Sequence, residues 1–523
     1  MQISEVVREE TPEAGQSRFQ VPSAKVIHWL MGMLVVYVIV RSIVAAATTP
    51  FWFDELLTLT VSSLPNLKAV WGALSHALDS QPPGFYVVER GFVGLLQNKY
   101  IALRLASILA FPCTLLCVFA YVKKRSGEAI GLICALLLLL TSLFHYHAFE
   151  ARPYSIEIAC VAIALVCYQR VPSPFWTILL GLSLMLAESF HYYAVFSMIP
   201  FGVAESVYFL SARRFRWPVW VALALAPAPL LFFWPLLSKF KAYYGAHPWA
   251  HYSLSSIPLT YGSFFMTGGA LGFALVAVCA TGVMGARLLP TKEASNESIG
   301  RDPAEASLLL TLLLLPFPTA LAIHLLHGMM VHRYVLASIL GVALSLACVM
   351  TLARGRVVLI FGVFILSTIA VHEFAFWRSA HPLRLENPAS PVEALTQQSG
   401  HADLPVAISD GNTYLQMAYY ASPESKKRFF FLVDEQKAVQ YAGADSVDKN
   451  VQVLQNYMPL QVEPRSEFIA AHKAFLFEVE DNPPLGLSWL PGYLQAEASS
   501  IQLAGADGTR KIYLITMKEN STP

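Results

Sequence analysis

Hydrophobic residues in this chain are gathered into long uniform blocks, unlike the one-sided stripes of a soluble helix. Eleven blocks can be marked, at 26–47, 101–122, 129–145, 153–169, 174–189, 192–210, 217–237, 264–286, 306–325, 333–352 and 357–375. Each is about 17 to 25 residues long, enough to cross a hydrocarbon core of about 30 Å as a helix. One such block could be a buried core helix, but so many in series could not. From Ala380 the blocks stop, and Pro382, Pro388 and Pro391 punctuate a linker. Beyond it, 404–408 and 428–433 read as strands, 413–421 and 446–457 as helices, and 500–517 as a hairpin around Asp507-Gly508. The pattern predicts a polytopic α-helical membrane protein of about eleven transmembrane helices with a small C-terminal soluble α/β or α+β domain. Its parts are a tail at 1–25, a membrane domain at 26–376 and a soluble domain at 377–523.

The first segment between blocks, 48–100, is too long and too apolar for a plain connector. Within it Leu67, Val70, Trp71, Leu74 and Leu78 recur at helical spacing, a stripe suited to lying in the interface plane. Pro82-Pro83 is expected to stop that helix, and Phe85 to Leu96 to begin another. Ahead of the stripe stands Phe51-Trp52-Phe53-Asp54-Glu55. Ionised carboxylates are costly in hydrocarbon, so an acidic pair directly beyond a membrane block must face water or find partners. That makes Asp54 and Glu55 site candidates. The plainer reading is that Asp54 caps a helix beginning near Glu55, which accounts for only one of the two carboxylates.

Composition supports the membrane reading: 55% of the 523 residues are hydrophobic, 14% are charged, and mean hydropathy is +0.51. Net charge is +1, so the balance points to no nucleic-acid partner. All seven cysteines lie inside the apolar blocks, which indicates neither a disulfide framework nor a thiolate metal site. The first block follows Lys25 and ends in Ala45-Ala46-Ala47, as a signal peptide would, yet its length favours an uncleaved anchor. With the N-terminus inside, Lys123-Lys124-Arg125, Arg170, Arg213-Arg214, the 287–301 segment and Arg354-Gly355-Arg356 all fall on the cytoplasmic side. The loops at 48–100, 144–152, 238–258 and 326–332 then share the opposite face with the C-terminal domain. A multi-pass protein of the cell (inner) membrane results, its active site and terminal domain extracytoplasmic, or periplasmic.

Candidate chemistry collects on that face. His145-Tyr146-His147-Ala148-Phe149-Glu150-Ala151-Arg152-Pro153-Tyr154 separates the third and fourth blocks, and an irregular turn before Pro153 allows Glu150 and Arg152 to converge. Glu157, one turn into the next block, needs a partner; an ion pair with Arg152 and a direct ligand role are equally open. His191-Tyr192-Tyr193 follows Glu188 at a block end, where tyrosines commonly anchor in the interface and a histidine can meet an anion. Lys239, Lys241, His247 and His251 decorate the next outer loop, and His332-Arg333-Tyr334 closes the last. Arginine grips a phosphate bidentately and lysine as a point charge, while a carboxylate can activate a hydroxyl as general base. Together they suggest displacement at a carbon bearing a phosphate leaving group, with the donor's lipid held in the bilayer.

The order of the acidic pair, Gln81-Pro82-Pro83-Gly84-Phe85-Tyr86, Arg104-Leu105-Ala106, Glu150-Ala151-Arg152-Pro153-Tyr154, His191-Tyr192-Tyr193 and Arg333-Tyr334 resembles that of the GT-C glycosyltransferases. The likeness is strongest to the bacterial branch related to protein O-mannosyltransferases (glycosyltransferase family 39), the lipid A aminoarabinose transferase and the RgtA/B/C/D-like enzymes, over roughly 26–375. The resemblance implies an inverting transfer of a hexose or pentose from a polyprenyl-phosphate donor to a lipid, glycan or protein hydroxyl. It implies catalytic roles for Asp54 and Glu55, and donor-phosphate or substrate contacts from Glu150, Arg152 and Arg333; Tyr154, His191, Tyr192, Lys239, Lys241 and Gln81 join the binding candidates by their place on the same face. Gln81 stands where many relatives have histidine. The sequence requires no cofactor. Some relatives use a divalent metal, so Mg or Mn remains open, with Asp54, Glu150 and His191 as the residues to hold it.

On this reading Asp54 takes the acceptor's proton while Arg152 and Arg333 stabilise the departing phosphate. The terminal domain covers the site or recruits the acceptor. The alternative from another class is a transporter or flippase of a lipid-linked sugar, which would place ionisable groups near the bilayer midplane, often within internal repeats. A membrane-anchored interaction protein is a third.

Overall fold

The computed structural model describes residues 23–250, 254–289, 298–353, 355–380, 383–483 and 486–518. Expectations on the tail 1–22, His251, Arg354 and Pro382, and on part of the 287–301 segment, fall outside them.

Among the described residues six helices are long and apolar enough to cross a membrane, two further helix pairs are apolar enough together but bent by 59° and 58° at a break, and three apolar helices are shorter, at Tyr154–Tyr168, Pro174–Phe190 and Ser338–Leu352. Each falls on one of the predicted blocks. Their exposed faces remain apolar, with Val36, Ile178, Leu231 and Phe364 turned outward as lipid-facing side chains would be. Inside, the helices approach closely at small residues. A Cβ on Gly341 would lie 2.4 Å from the Leu313 amide nitrogen, so Ser338–Leu352 presses directly on Pro303–Leu313. Several charges within the body are paired, as Arg41 with Glu373 at 3.4 Å and Arg125 with Glu305 at 3.5 Å.

The first segment folds into helices Phe53–Ser62, Leu67–Ser75, Pro83–Val93 and Lys99–Ala102. Pro82-Pro83 opens a helix and does not stop one: Pro82 is its N-cap and Pro83 occupies the first turn, where a missing N–H costs nothing. The preceding helix has already ended at Ser75. Its predicted interface stripe is divided, with Val70, Leu74 and Leu78 buried against protein and Leu67 and Trp71 exposed. Likewise Lys239 and Lys241 belong to a helix, Ala228–Tyr244, that runs on past the expected loop start.

The C-terminal part is a six-stranded sheet of order β3-β2-β1-β4-β6-β5. The strands are β1 Val406–Ile408, β2 Phe429–Val433, β3 Val462–Pro464, β4 Ala474–Glu480, β5 Ala498–Asp507 and β6 Arg510–Met517. β1 to β4 pair in parallel, with helices between them, so the unit is α/β in character. β1 is buried throughout, as a central parallel strand should be. β5 and β6 form the expected antiparallel hairpin, with Asp507 opposite Arg510 and Gly508 in the left-handed region at φ 55°.

This unit sits on the first segment. The Phe53–Ser62 helix begins at Trp52, whose side chain caps nothing, and the Phe53 N–H donates instead to Asn412 Oδ1 at 2.8 Å. The Phe51 N–H donates to the Tyr420 hydroxyl at 2.8 Å, and Gln416 Nε2 donates to the Phe51 carbonyl at 3.1 Å.

Candidate active site

Asp54 lies in the first turn of the Phe53–Ser62 helix and does not cap it. Its Oδ2 is 3.6 Å from Arg152 Nε and 3.4 Å from Arg333 Nη2, within ion-pairing range, yet it accepts no hydrogen bond from the described residues. Burial pushes the carboxyl above the usual carboxylate range; Arg152 and Arg333 pull it down, while Asp79 and Glu150 add to the rise. The result is a carboxylate with a free lone pair and a raised proton affinity, which are the attributes of a general base.

Glu55, one residue on, points elsewhere. Its carboxylate accepts from Arg104 Nε at 2.7 Å and Nη2 at 2.5 Å, and from the Ala151 N–H at 2.8 Å. Arg104 also donates to the carbonyls of Ala46, Thr49 and Pro50. Glu55 is 1% exposed and does not line the cavity that Asp54 faces, so the paired reading of the two carboxylates is corrected: one faces the cavity and the other ties the fold.

Arg152 is held by Asp79, a residue outside the predicted site. Its Nη1 donates to Asp79 Oδ2 at 2.6 Å and its Nη2 to Asp79 Oδ1 at 3.2 Å, and Tyr86 donates its hydroxyl to the same Oδ2 at 2.6 Å. Burial works against the Arg152 charge, but Asp79 and Asp54 hold the guanidinium firmly protonated. Glu157 is therefore not its partner; that carboxylate pairs with His191 Nδ1 at 2.7 Å. Asp79 was open to the argument applied to Asp54, being another carboxylate in an apolar loop two residues before Gln81.

Glu150 meets His147 Nδ1 at 2.5 Å. Burial alone would raise it, but His147, Arg333 and Arg152 hold it below the ordinary range. Arg333, in the short helix His332–Val335, has only Asp54 as an ion-pair partner among the described residues, and its guanidinium stands 5.5 to 5.9 Å from the rings of Trp52, Tyr154 and Trp249. Burial, Arg333 and His147 push His332 down to about 4, so it stays neutral beside that charge.

The cavity bounded by Asp54, Asp79, Arg152 and Arg333 shares Ser80, Tyr244, Trp249 and Tyr334 with a second and more apolar one beside it, which holds Gln81, His191, Tyr192 and Lys241. Tyr334 packs at a tilt on Tyr193, ring centroids 4.4 Å apart, and Tyr154 approaches both His147 at 4.9 Å and His191 at 5.5 Å. Lys241 also donates to the Leu326 carbonyl at 3.0 Å. Lys239 is exposed and lines neither cavity. The proposed metal ligands do not meet: Asp54 faces two arginines, Glu150 holds His147 and His191 holds Glu157, and no group of three or more His, Cys, Asp or Glu among the described residues is arranged to hold a metal ion. This donor set does not fit a metal.

No family model matches the chain, and no curated protein does. Among solved structures it is similar to ArnT from Cupriavidus metallidurans in the apo state, at 13% identity over 94% of this chain and 98% of that one, with a TM-score of 0.44. It is also similar to ArnT bound to undecaprenyl phosphate, at 14% identity over the same shares and a TM-score of 0.42. A third is the archaeal oligosaccharyltransferase AglB from Archaeoglobus fulgidus with an inhibitory peptide and a dolichol-phosphate, at 9% identity over 95% of this chain and 75% of that one, with a TM-score of 0.46.

Proposed function

We propose that the chain is a membrane glycosyltransferase that moves a sugar from a polyprenyl-phosphate donor to an acceptor hydroxyl, with inversion, on the extracytoplasmic side. The observation that carries this reading is Asp54 Oδ2, unbonded between Arg152 and Arg333 on the wall of a cavity that adjoins an aromatic, apolar chamber holding Lys241. A base and a phosphate-binding cation are thereby set side by side. Asp54 takes the proton of the acceptor hydroxyl as its oxygen attacks the anomeric carbon. The bond from that carbon to the phosphate oxygen breaks, and the electron pair leaves with the polyprenyl phosphate.

The two arginines divide the work. Arg152 is held by Asp79 through both terminal nitrogens and turns its Nε toward Asp54, which it serves to orient. Arg333 has spare donors and takes the leaving phosphate, with Lys241 from the adjoining chamber. Glu55 acts through the fold, and no step calls for a metal.

The test is Asp54→Asn in proteoliposomes supplied with undecaprenyl-phosphate hexoses and pentoses. Removing a general base should lower turnover by about 10²- to 10⁴-fold while the melting temperature stays near wild type. A folded variant with wild-type turnover ends the proposal for Asp54. Mass spectrometry of envelope glycolipids and glycoproteins from cells lacking the chain identifies the sugar and acceptor.

A further inference from the structure

The charged wall of the cavity comes from the membrane body, and the facing wall comes from the sheet unit. Ser446 and Asn450, on the helix Ser446–Leu454, line the same cavity as Asp54 and Arg333. They stand four residues apart, one turn along a helix, and so share a face. Both are deeply buried, at 5% and 9% exposure, yet neither is satisfied: Ser446 Oγ and Asn450 Oδ1 have no hydrogen-bond partner among the described residues. Buried polar oxygens are normally paired, and the exceptions call for an explanation.

The orientation of the Asn450 amide is fixed. Its Nδ2 donates to the Leu78 carbonyl at 2.9 Å and to the Tyr244 hydroxyl at 3.3 Å, and Tyr244 in turn donates to the Ala77 carbonyl at 3.0 Å. Turning the amide over would break both bonds, so Oδ1 is left as a committed acceptor. Beside it Ser446 can donate or accept. An acceptor paired with a hydroxyl, with no charge of its own, matches a neutral group carrying O–H donors. It does not match a phosphate, whose ionised oxygens offer Oδ1 nothing to accept.

We infer that Ser446 and Asn450 form a hydroxyl-reading subsite for a neutral sugar ring, so that the sheet unit contributes to sugar selectivity in the same cavity. This rests on the glycosyl-transfer reading above. The ring belongs either to the donor, as the transferred sugar, or to the acceptor, and the two sources present the same chemistry.

The decisive variant is Ser446→Ala, because the hydroxyl it removes bonds nothing in the fold and alanine is favourable in a helix. Full-length protein in nanodiscs is titrated with undecaprenyl phosphate and with undecaprenyl-phosphate mannose and glucose. In a second arm, methyl α-D-mannopyranoside and methyl β-D-glucopyranoside are titrated with undecaprenyl phosphate already bound. Loss of about tenfold in affinity for the sugar-bearing donors, with undecaprenyl phosphate unaffected, supports the subsite and assigns it to the donor sugar. A loss of that size in the second arm alone supports it and assigns it to the acceptor. Asn450→Ala should match the loss, with its melting temperature measured alongside because Nδ2 also anchors Leu78. Equal affinities for wild type and Ser446→Ala in both arms overturn the inference and leave the transfer reading standing. Wild-type protein that fails to bind undecaprenyl phosphate at all overturns both.

Discussion

Asp54 and Glu55 are adjacent in sequence and opposite in setting, because successive residues of a helix point about 100° apart. Glu55 meets Arg104 and the Ala151 amide in a fully buried pair, and removing one member of such a pair costs about 3–5 kcal/mol. Glu55→Gln should therefore lower the melting temperature sharply, and any loss of turnover should follow the loss of folded protein. A variant of normal stability with abolished turnover would return Glu55 to the chemistry. For Asp54 the test is a pH profile. A base works when ionised, so kcat/KM should fall as pH drops through its pKa, which burial places above the ordinary value of about 3.9. Arg333→Gln removes a cation that favours the ionised form, so the acidic limb should move to higher pH; a limb that moves to lower pH would refute the pairing. The sequence marked a carboxylate after a membrane block, which is a matter of solvation. Which of two neighbours faces the cavity, and that Asp79 braces Arg152, depend on helix rotation and on contacts across 73 residues.

Elements were legible where their signal was local. Eleven apolar blocks and the Asp507-Gly508 hairpin stand where the pattern put them, because length, hydropathy and turn chemistry are written into contiguous residues. β4 escaped notice because Ala474-Phe475-Leu476-Phe477 has no alternation: a strand between two partners is apolar on both faces and reads like a piece of buried helix. The Pro82-Pro83 pair has the local signature of a stop because proline breaks a helix from inside, whereas at the first turn it starts one. Just beyond it, Gly84 is where the Pro83–Val93 helix meets the Pro174–Phe190 helix. A Cβ there would lie 2.4 Å from the Ser189 carbonyl oxygen, backbone that cannot give way. Gly84→Ala should push the helices apart, cost about 1–3 kcal/mol and, by shifting Tyr86 from Asp79, reduce turnover as well. Thermal unfolding together with turnover checks both halves, and an unchanged melting temperature would contradict the close approach.

At the scale of the whole molecule, the sheet unit completes the helix that carries Asp54. Asn412 and Tyr420 satisfy the Phe53 and Phe51 amides at separations of 359 and 369 residues, which no reading of local pattern can foresee. Capping side chains contribute about 1 kcal/mol each. Asn412→Ala with Tyr420→Phe should accordingly speed hydrogen exchange of the 51–55 amides and lower turnover, leaving exchange within the membrane helices as it was. Unchanged exchange at 51–55 would show that the two units do not support each other in this way.

The Arg104 and Glu55 contact has a consequence for biosynthesis. Glu55 Oε1 also receives the Ala151 amide, so this junction cannot close until the turn before the fourth membrane segment has left the ribosome. Arg333 arrives later still, and Asn412 and Ser446 later again. Asp54 is among the first parts of the site to be made, and the chain carries an unfinished pocket through membrane insertion until the sheet unit adds Asn412 and Ser446 to it.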